Sequence, residues 1–330
     1  EHVYHQLANR PWAALYVAAF FFFMISLGTL AFYAIQRAAQ SGWSPVLFRV
    51  MEGITAYLLP GGLALLLILL LSTLHLNHLF IWMDPEVVEY DKIIKAKSGY
   101  LEPYFFLVRG VIYLSGWYLY RYFSRKFSHL QDRSNDDKYH IKNFKLSAAF
   151  LVFFLVTESM MSWDWIMSID PHWFSTLFGW YVFASMFVSG ITMIALITIY
   201  LKSQGYLEKV NDNHMHDLAK FIFGVRVFWK GIIVQAVYFS GFPNQFFKTF
   251  FLRKRSKTLS KFARFEISIA LRAQLEVIIR WISIIVSSNF FEVRVPGVLE
   301  HQLKHGLIGW VFWLRHKLSI ALQQPAGLVE

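Results

Sequence analysis

Residues 12–35 contain no charged side chain, and neither do residues 173–201. An α-helix needs roughly 20 apolar residues to cross the hydrocarbon core of a bilayer, so each stretch is long enough to be a transmembrane helix. Backbone groups in lipid must be satisfied internally, which leaves helices or closed barrels. Barrel strands would alternate in hydrophobicity over about ten residues, and no such alternation occurs. The chain is 56% hydrophobic and only 16% charged, whereas about a quarter of a soluble domain's residues carry charge. The fold class expected is an all-α integral membrane protein, a polytopic transmembrane helix bundle.

Hydropathy places spans near 12–35, 54–83, 104–123, 146–169, 173–201 and 218–240, making one bundle over 12–240. Residues 1–11 read as a juxtamembrane approach, and 241–330 as further helices. The first residue is Glu1 and no secretory signal pattern precedes Trp12, so the expectation is a chain whose true start is missing. Trp82, Tyr104, Trp173 and Tyr200 sit at span ends, where amphipathic rings favour the headgroup level. Arg37, Arg49, the basic residues of 121–145, Lys202 and Lys209 fall on one side of this arrangement; Arg10, Lys92, Lys95 and Lys97 fall on the other. The positive-inside rule assigns the first group to the cytoplasm. The hairpin Asp170-Pro171-His172 then faces outward and makes the spans on either side antiparallel neighbours. Ser185 and Ser189 have the small-xxx-small spacing that lets helices approach. Gly61 and Gly62 after Pro60 point to a kink or a close contact.

The chain has no cysteine, which excludes thiolate-held iron-sulfur clusters, CxxCH haem attachment, cysteine-ligated zinc and disulfides. Its formal charge of +11 arises entirely beyond residue 217, up to which basic and acidic residues balance. No aromatic-interleaved basic groove accompanies that excess, so nucleic acid is not an expected partner.

Polar groups inside the spans are the candidates for function. Glu158 falls near mid-membrane, and Asp164 about 9 Å further outward at 1.5 Å per residue. Ionisable groups at such depth are costly and commonly mark proton, ion or ligand paths. The alternative is a carboxyl hydrogen-bonded to a neighbouring helix. His75 and His78, three residues apart, are expected on one helical face at a depth similar to Asp164. Imidazole suits proton transfer or quinol binding, although a buried histidine can equally be a satisfied core residue. The arrangement expected of a bis-histidine haem is weak, and His214, His216 and Asp217 read as a solvated helix start rather than a metal site. Asp84-Pro85-Glu86 opens a short interfacial helix, and Arg109 is expected either to snorkel toward the interface or to pair with a carboxylate, the snorkel being the first choice. No internal repeat supports an independent transporter.

Four strings are long and specific: GWSPVLFRVMEGITAYL (42–58), LNHLFIWMDPEVVEYDKIIKAKSGYL (76–101), FLVFFLVTESMMSWDWIMSIDPHWFSTLFGWYVFASMFVSGIT (150–192) and HDLAKFIFG (216–224). In these the chain resembles the second quinone-type membrane subunit of bacterial alternative complex III, within the NrfD-like superfamily of polysulfide-reductase membrane subunits. The likeness covers about two-thirds of the chain and fades after Trp229, where residues 262–291 carry Arg264, Glu266, Arg272, Glu276 and Arg280. No functional residue is placed beyond it.

The resemblance implies paired four-helix bundles in a bacterial inner membrane. It also implies a respiratory-chain complex that oxidises quinol and passes electrons to a cytochrome c or similar periplasmic acceptor. Iron-sulfur clusters and haem c would belong to partner subunits, and this chain would hold no covalent cofactor. Two roles are expected of it. In the first it scaffolds the complex and carries protons through Glu158, Asp164, His75 and His78. In the second it binds quinol near the periplasmic face, with Asp164, His78, Trp163 and Trp165 as contacts.

Overall fold

The computed structural model describes residues 2–173 and 175–237. The expectations for residues 241–330 lie outside the described residues. Nine α-helices follow in order among the described residues: α1 His2–Ala38, α2 Phe48–Ile54, α3 Leu58–Thr73, α4 Pro85–Tyr90, α5 Lys92–Lys97, α6 Pro103–Gln131, α7 Lys138–Trp165, α8 Phe178–Ser203 and α9 Asp212–Val237. No strand occurs among the described residues. Short 3-10 turns at Pro45–Leu47 and Thr55–Tyr57 flank α2, so residues 45–73 run as one tightened helical stretch.

Four helical stretches are long and apolar enough to cross a membrane: Pro11–Ala38, Pro45–Thr73, Lys138–Ile169 and Phe178–Ser203. The expected span at 104–123 and the described part of that at 218–240 also lie on helices, α6 and α9, but neither joins that set among the described residues. α6 carries Arg109, Arg121, Arg125 and Lys126, and α9 carries Asp217, Lys220 and Arg226. The expected juxtamembrane residues continue α1 back to His2, through Pro11.

The span expected over 54–83 ends ten residues early, at Thr73. His75 adopts a left-handed backbone, φ 56°. Its N–H donates to Ser72 O, and that of Leu76 to Leu71 O, the paired bonds that close a helix around a left-handed residue. Asn77 locks this end, accepting from Ser72 Oγ at 2.6 Å and donating to Ile68 O at 3.4 Å. α8 closes in the same way around Gly205, φ 84°, where glycine adopts that conformation without steric cost.

α1 is central, packing on α3, α7 and α8; α6 packs on α7 and α3, and α9 on α8. Close approach of small residues is one way in which apolar helices are joined. Between α1 and α8 this is done by Gly28 and Gly190. A Cβ on Gly190 would lie 2.5 Å from the Gly28 carbonyl carbon and the Thr29 nitrogen, and one on Gly28 would strike the Met186 carbonyl. The expected pair Ser185 and Ser189 does not serve this purpose. Ser185 is exposed, and Ser189 Oγ spends its hydrogen bond on Ser185 O. Gly62 does make the expected close contact, against Leu114 of α6. The α7–α8 hairpin is antiparallel as expected, with Gly179 against Ser159. Outward faces are apolar, for example Leu63 and Leu67 on α3, Val108 and Ile112 on α6, and Val152 and Leu155 on α7.

Candidate functional site

Asp164 lies in the last turn of α7, beside the first turns of the antiparallel α6. The start of α6 is fixed by Pro103 in its first turn and by Glu102, whose carboxylate accepts from Phe105 N at 2.6 Å. This sets Arg109 opposite Asp164. Its Nε donates to Asp164 Oδ2 at 2.8 Å and its Nη2 to Oδ1 at 3.0 Å, while Tyr113 Oη donates to Oδ2 at 2.9 Å. The guanidinium stacks on the rings of Tyr100 and Phe105, 4.1 and 4.6 Å from their centroids, and donates to Tyr100 O at 3.1 Å. Arg109 and Asp164 are both buried. Of the two expectations for Arg109, the snorkel is corrected and the carboxylate pair is the one observed: Asp164 holds the guanidinium in a bidentate pair, which satisfies more donors in a buried site than a stretch toward water. Asp164 has both oxygens engaged.

Glu158, about 9 Å along the same helix, has the opposite environment. It is 2% exposed, and its Oε1 has no hydrogen-bond partner among the described residues. It shares a buried helical face with Phe154, Met161 and Trp165. Trp165 is fully buried among Phe20, Phe23, Tyr113 and Trp117, and its carbonyl accepts from Tyr16 Oη at 2.7 Å. Trp163 is half-buried. The indole nitrogens of Trp163 and Trp165 are both buried and without an acceptor among the described residues.

His75 and His78 do not share a helical face, because the helix has already ended. Both turn instead to Asp84 Oδ1, with Nδ1 at 3.9 Å for His75 and 3.1 Å for His78, and both are partly exposed. They are not brought to Asp164, whose oxygens are held by Arg109 and Tyr113. His214 Nδ1 accepts from Asn211 N at 3.2 Å at the start of α9. Burial, helped by the charge of Lys220, holds the His216 imidazole below its ordinary range. No group of three potential metal ligands occurs among the described residues.

A second polar cluster sits at the opposite end of the helices. Tyr33 Oη donates to Glu52 Oε1 at 3.1 Å and accepts from Arg37 Nε at 3.1 Å; Arg37 Nη2 reaches Ser128 Oγ at 3.0 Å. Arg49 binds Glu52 Oε2 at 2.6 Å and also pairs with Asp132. Ser124 donates to Asn143 Oδ1 at 2.6 Å, and Tyr120 pairs with Ser147 at 2.9 Å.

The two clusters are ends of one seam on α6. Arg109, Tyr113, Trp117, Tyr120, Ser124 and Ser128 are all buried and all bonded to other helices, Trp117 through Thr157 Oγ1 at 3.0 Å. Their spacing of three and four residues runs along one face for about 28 Å, close to the thickness of a hydrocarbon core. Sequence reasoning missed this seam. The signal that reveals it is the helical period of hydrogen-bonding side chains in a span otherwise read only for hydropathy.

No family model matches the chain, and no curated protein matches it.

Proposed function

We propose that the chain is a polytopic membrane protein of helix-bundle form, and that it serves as a membrane subunit of a quinol-oxidising complex of the alternative complex III type. There it scaffolds the assembly and carries protons through Glu158. The four long motif strings support the family reading, and the apolar outward faces of α3, α6 and α7 support insertion in a bilayer, in this reading the bacterial inner membrane. Iron-sulfur and cytochrome c subunits would supply the redox centres.

One observation carries the proton role. Of the five charged residues buried in the described structure, Arg37, Glu52, Arg109 and Asp164 are matched with opposite charge. Glu158 is the exception, with a carboxyl oxygen that nothing donates to among the described residues. An unpaired ionised carboxylate in an apolar interior is too costly to keep as a structural element. A group that takes up and hands on a proton accounts for its position. Asp164 is a poorer relay in this reading because Arg109 and Tyr113 occupy it. His75 and His78 would act only as outer surface groups.

The test is Glu158→Gln in the assembled complex, with proton release per quinol oxidised as the readout. The reading expects lower stoichiometry or rate with assembly unchanged; native stoichiometry and rate would reject it. A second reading, quinol binding in this chain, draws on the two acceptor-less indole N–H groups of Trp163 and Trp165. Photolabelling with a quinone analogue discriminates, since labelling confined to a sister subunit would exclude it.

A further inference from the structure

Segment 84–102 carries α4 and α5 and joins α3 to α6. It is tied to the end of the helices where Asp164 lies by side chains that pair across elements. Asp91 is the cap of α5: its Oδ1 accepts from Ile93 N at 2.9 Å and Ile94 N at 3.2 Å. That leaves Oδ2 for His172 Nε2, 2.7 Å away on the α7–α8 hairpin. Lys97 Nζ donates to Pro171 O on the same hairpin at 2.5 Å. Tyr100 O accepts from Arg109, so the segment also touches the partner of Asp164. At its start, Asp84 meets His78 and His75.

We propose that segment 84–102 is a pH-responsive strap, clamped onto the α7–α8 hairpin when His172 is protonated against Asp91 and loosened when His172 is neutral. This rests on the contacts above and not on the proposed function. Histidine is the side chain whose charge changes between pH 5 and 8. Slight burial pushes the Asp91 carboxyl up, but hydrogen bonds from Ile94 N, His172 and Ile93 N outweigh this and hold it below the usual range. Asp91 is therefore charged throughout that interval, and the imidazole alone switches the contact from an ion pair to a weaker hydrogen bond between a neutral imidazole N–H and the carboxylate. The sign follows: the strap is tight near pH 5.5 and looser near pH 8.5. The other charged groups near this contact are Lys92 and Lys97 on the strap and Asp170 on the hairpin, whose Oδ1 is 3.8 Å from His172 Nδ1. His172 is half-exposed, so the change in released fraction is modest, about two- to five-fold.

The absence of cysteine makes the test direct. Ser98→Cys and Thr176→Cys, spin-labelled in the full chain in lipid nanodiscs, report the strap-to-hairpin distance by pulsed electron resonance. The proposal expects a narrow distribution at pH 5.5 and a two- to five-fold larger long-distance population at pH 8.5. His172→Gln should show the looser distribution at both pH values, and Asp91→Asn, which keeps the cap oxygen, should do the same. His78→Gln and Lys97→Met should keep the pH response. An unchanged distribution from pH 5.5 to 8.5 overturns the proposal. So does a native response in either His172→Gln or Asp91→Asn, or loss of the response in His78→Gln.

Discussion

Asp164→Asn preserves the shape of the outer cluster and removes the charge against which Arg109 is buried. The two side chains are 5% and 0% exposed, so solvent does not screen the pair. Unit charges about 4 Å apart interact by about 4 kcal/mol at an effective dielectric constant near 20. Experiment on other buried pairs gives about 3–5 kcal/mol for removing one partner, because the other is left charged and uncompensated. The amide oxygen of Asn still accepts one hydrogen bond, returning about 1 kcal/mol, so the net loss is about 2–4 kcal/mol. At roughly 2–4 °C per kcal/mol for a chain of this order of size, the unfolding midpoint should fall by about 4–16 °C. Tryptophan fluorescence during heating in nanodiscs reads this, since Trp117 and Trp165 pack beside the pair. The double replacement Arg109→Met with Asp164→Leu should recover most of the loss, because apolar residues of similar volume replace a buried ion pair at little cost. A midpoint unchanged in Asp164→Asn, or a double variant as unstable as the single, would show that the pair is neither closed nor structural.

Gly190→Ala should lower stability by about 1–3 kcal/mol, because its Cβ meets backbone of α1 that cannot rotate away, whereas Ser189→Ala should stay within about 0.5 kcal/mol; thermal midpoints separate them. Asn77→Ala removes both side-chain bonds that lock the end of α3 and should cost about 1–2 kcal/mol, with faster hydrogen exchange at residues 72–76. Glu52→Gln leaves Arg37 buried without its carboxylate and should cost about 2 kcal/mol after discounting the exposed Arg49, again read as a midpoint shift.

Hydropathy made the helical character and the four apolar stretches legible, because lipid imposes one demand on every residue of a span. It failed where local chemistry overrides the average. The end of α3 is set by the left-handed His75 and by Asn77, and an apolar run continuing through Leu79 and Phe80 hid it. Pairing His75 with His78 on a helical face therefore failed with the helix itself. Arg109 and Asp164 were each visible as a charge inside a span, and a carboxylate partner was one of two expectations for Arg109, but which carboxylate it meets depends on the register of α6 against α7, which no single span encodes. Glu52 escaped notice because it lies near a span end, where a charge needs no explanation until the fold buries it. Glu158 was legible for the opposite reason: it is a carboxyl in a run with no other charge nearby, and the described residues supply no partner for Oε1.

In the function proposed above, Glu158 takes up and releases a proton while quinol is oxidised. Infrared difference spectra of the assembled complex, recorded on quinol oxidation in H2O and D2O, test it at the group itself. A protonating Glu158 gives a carboxylic-acid carbonyl band that responds to turnover, shifts in D2O and is absent from Glu158→Gln. A spectrum without that band, or one in which it persists unchanged in Glu158→Gln, would mean that Glu158 carries no proton during turnover.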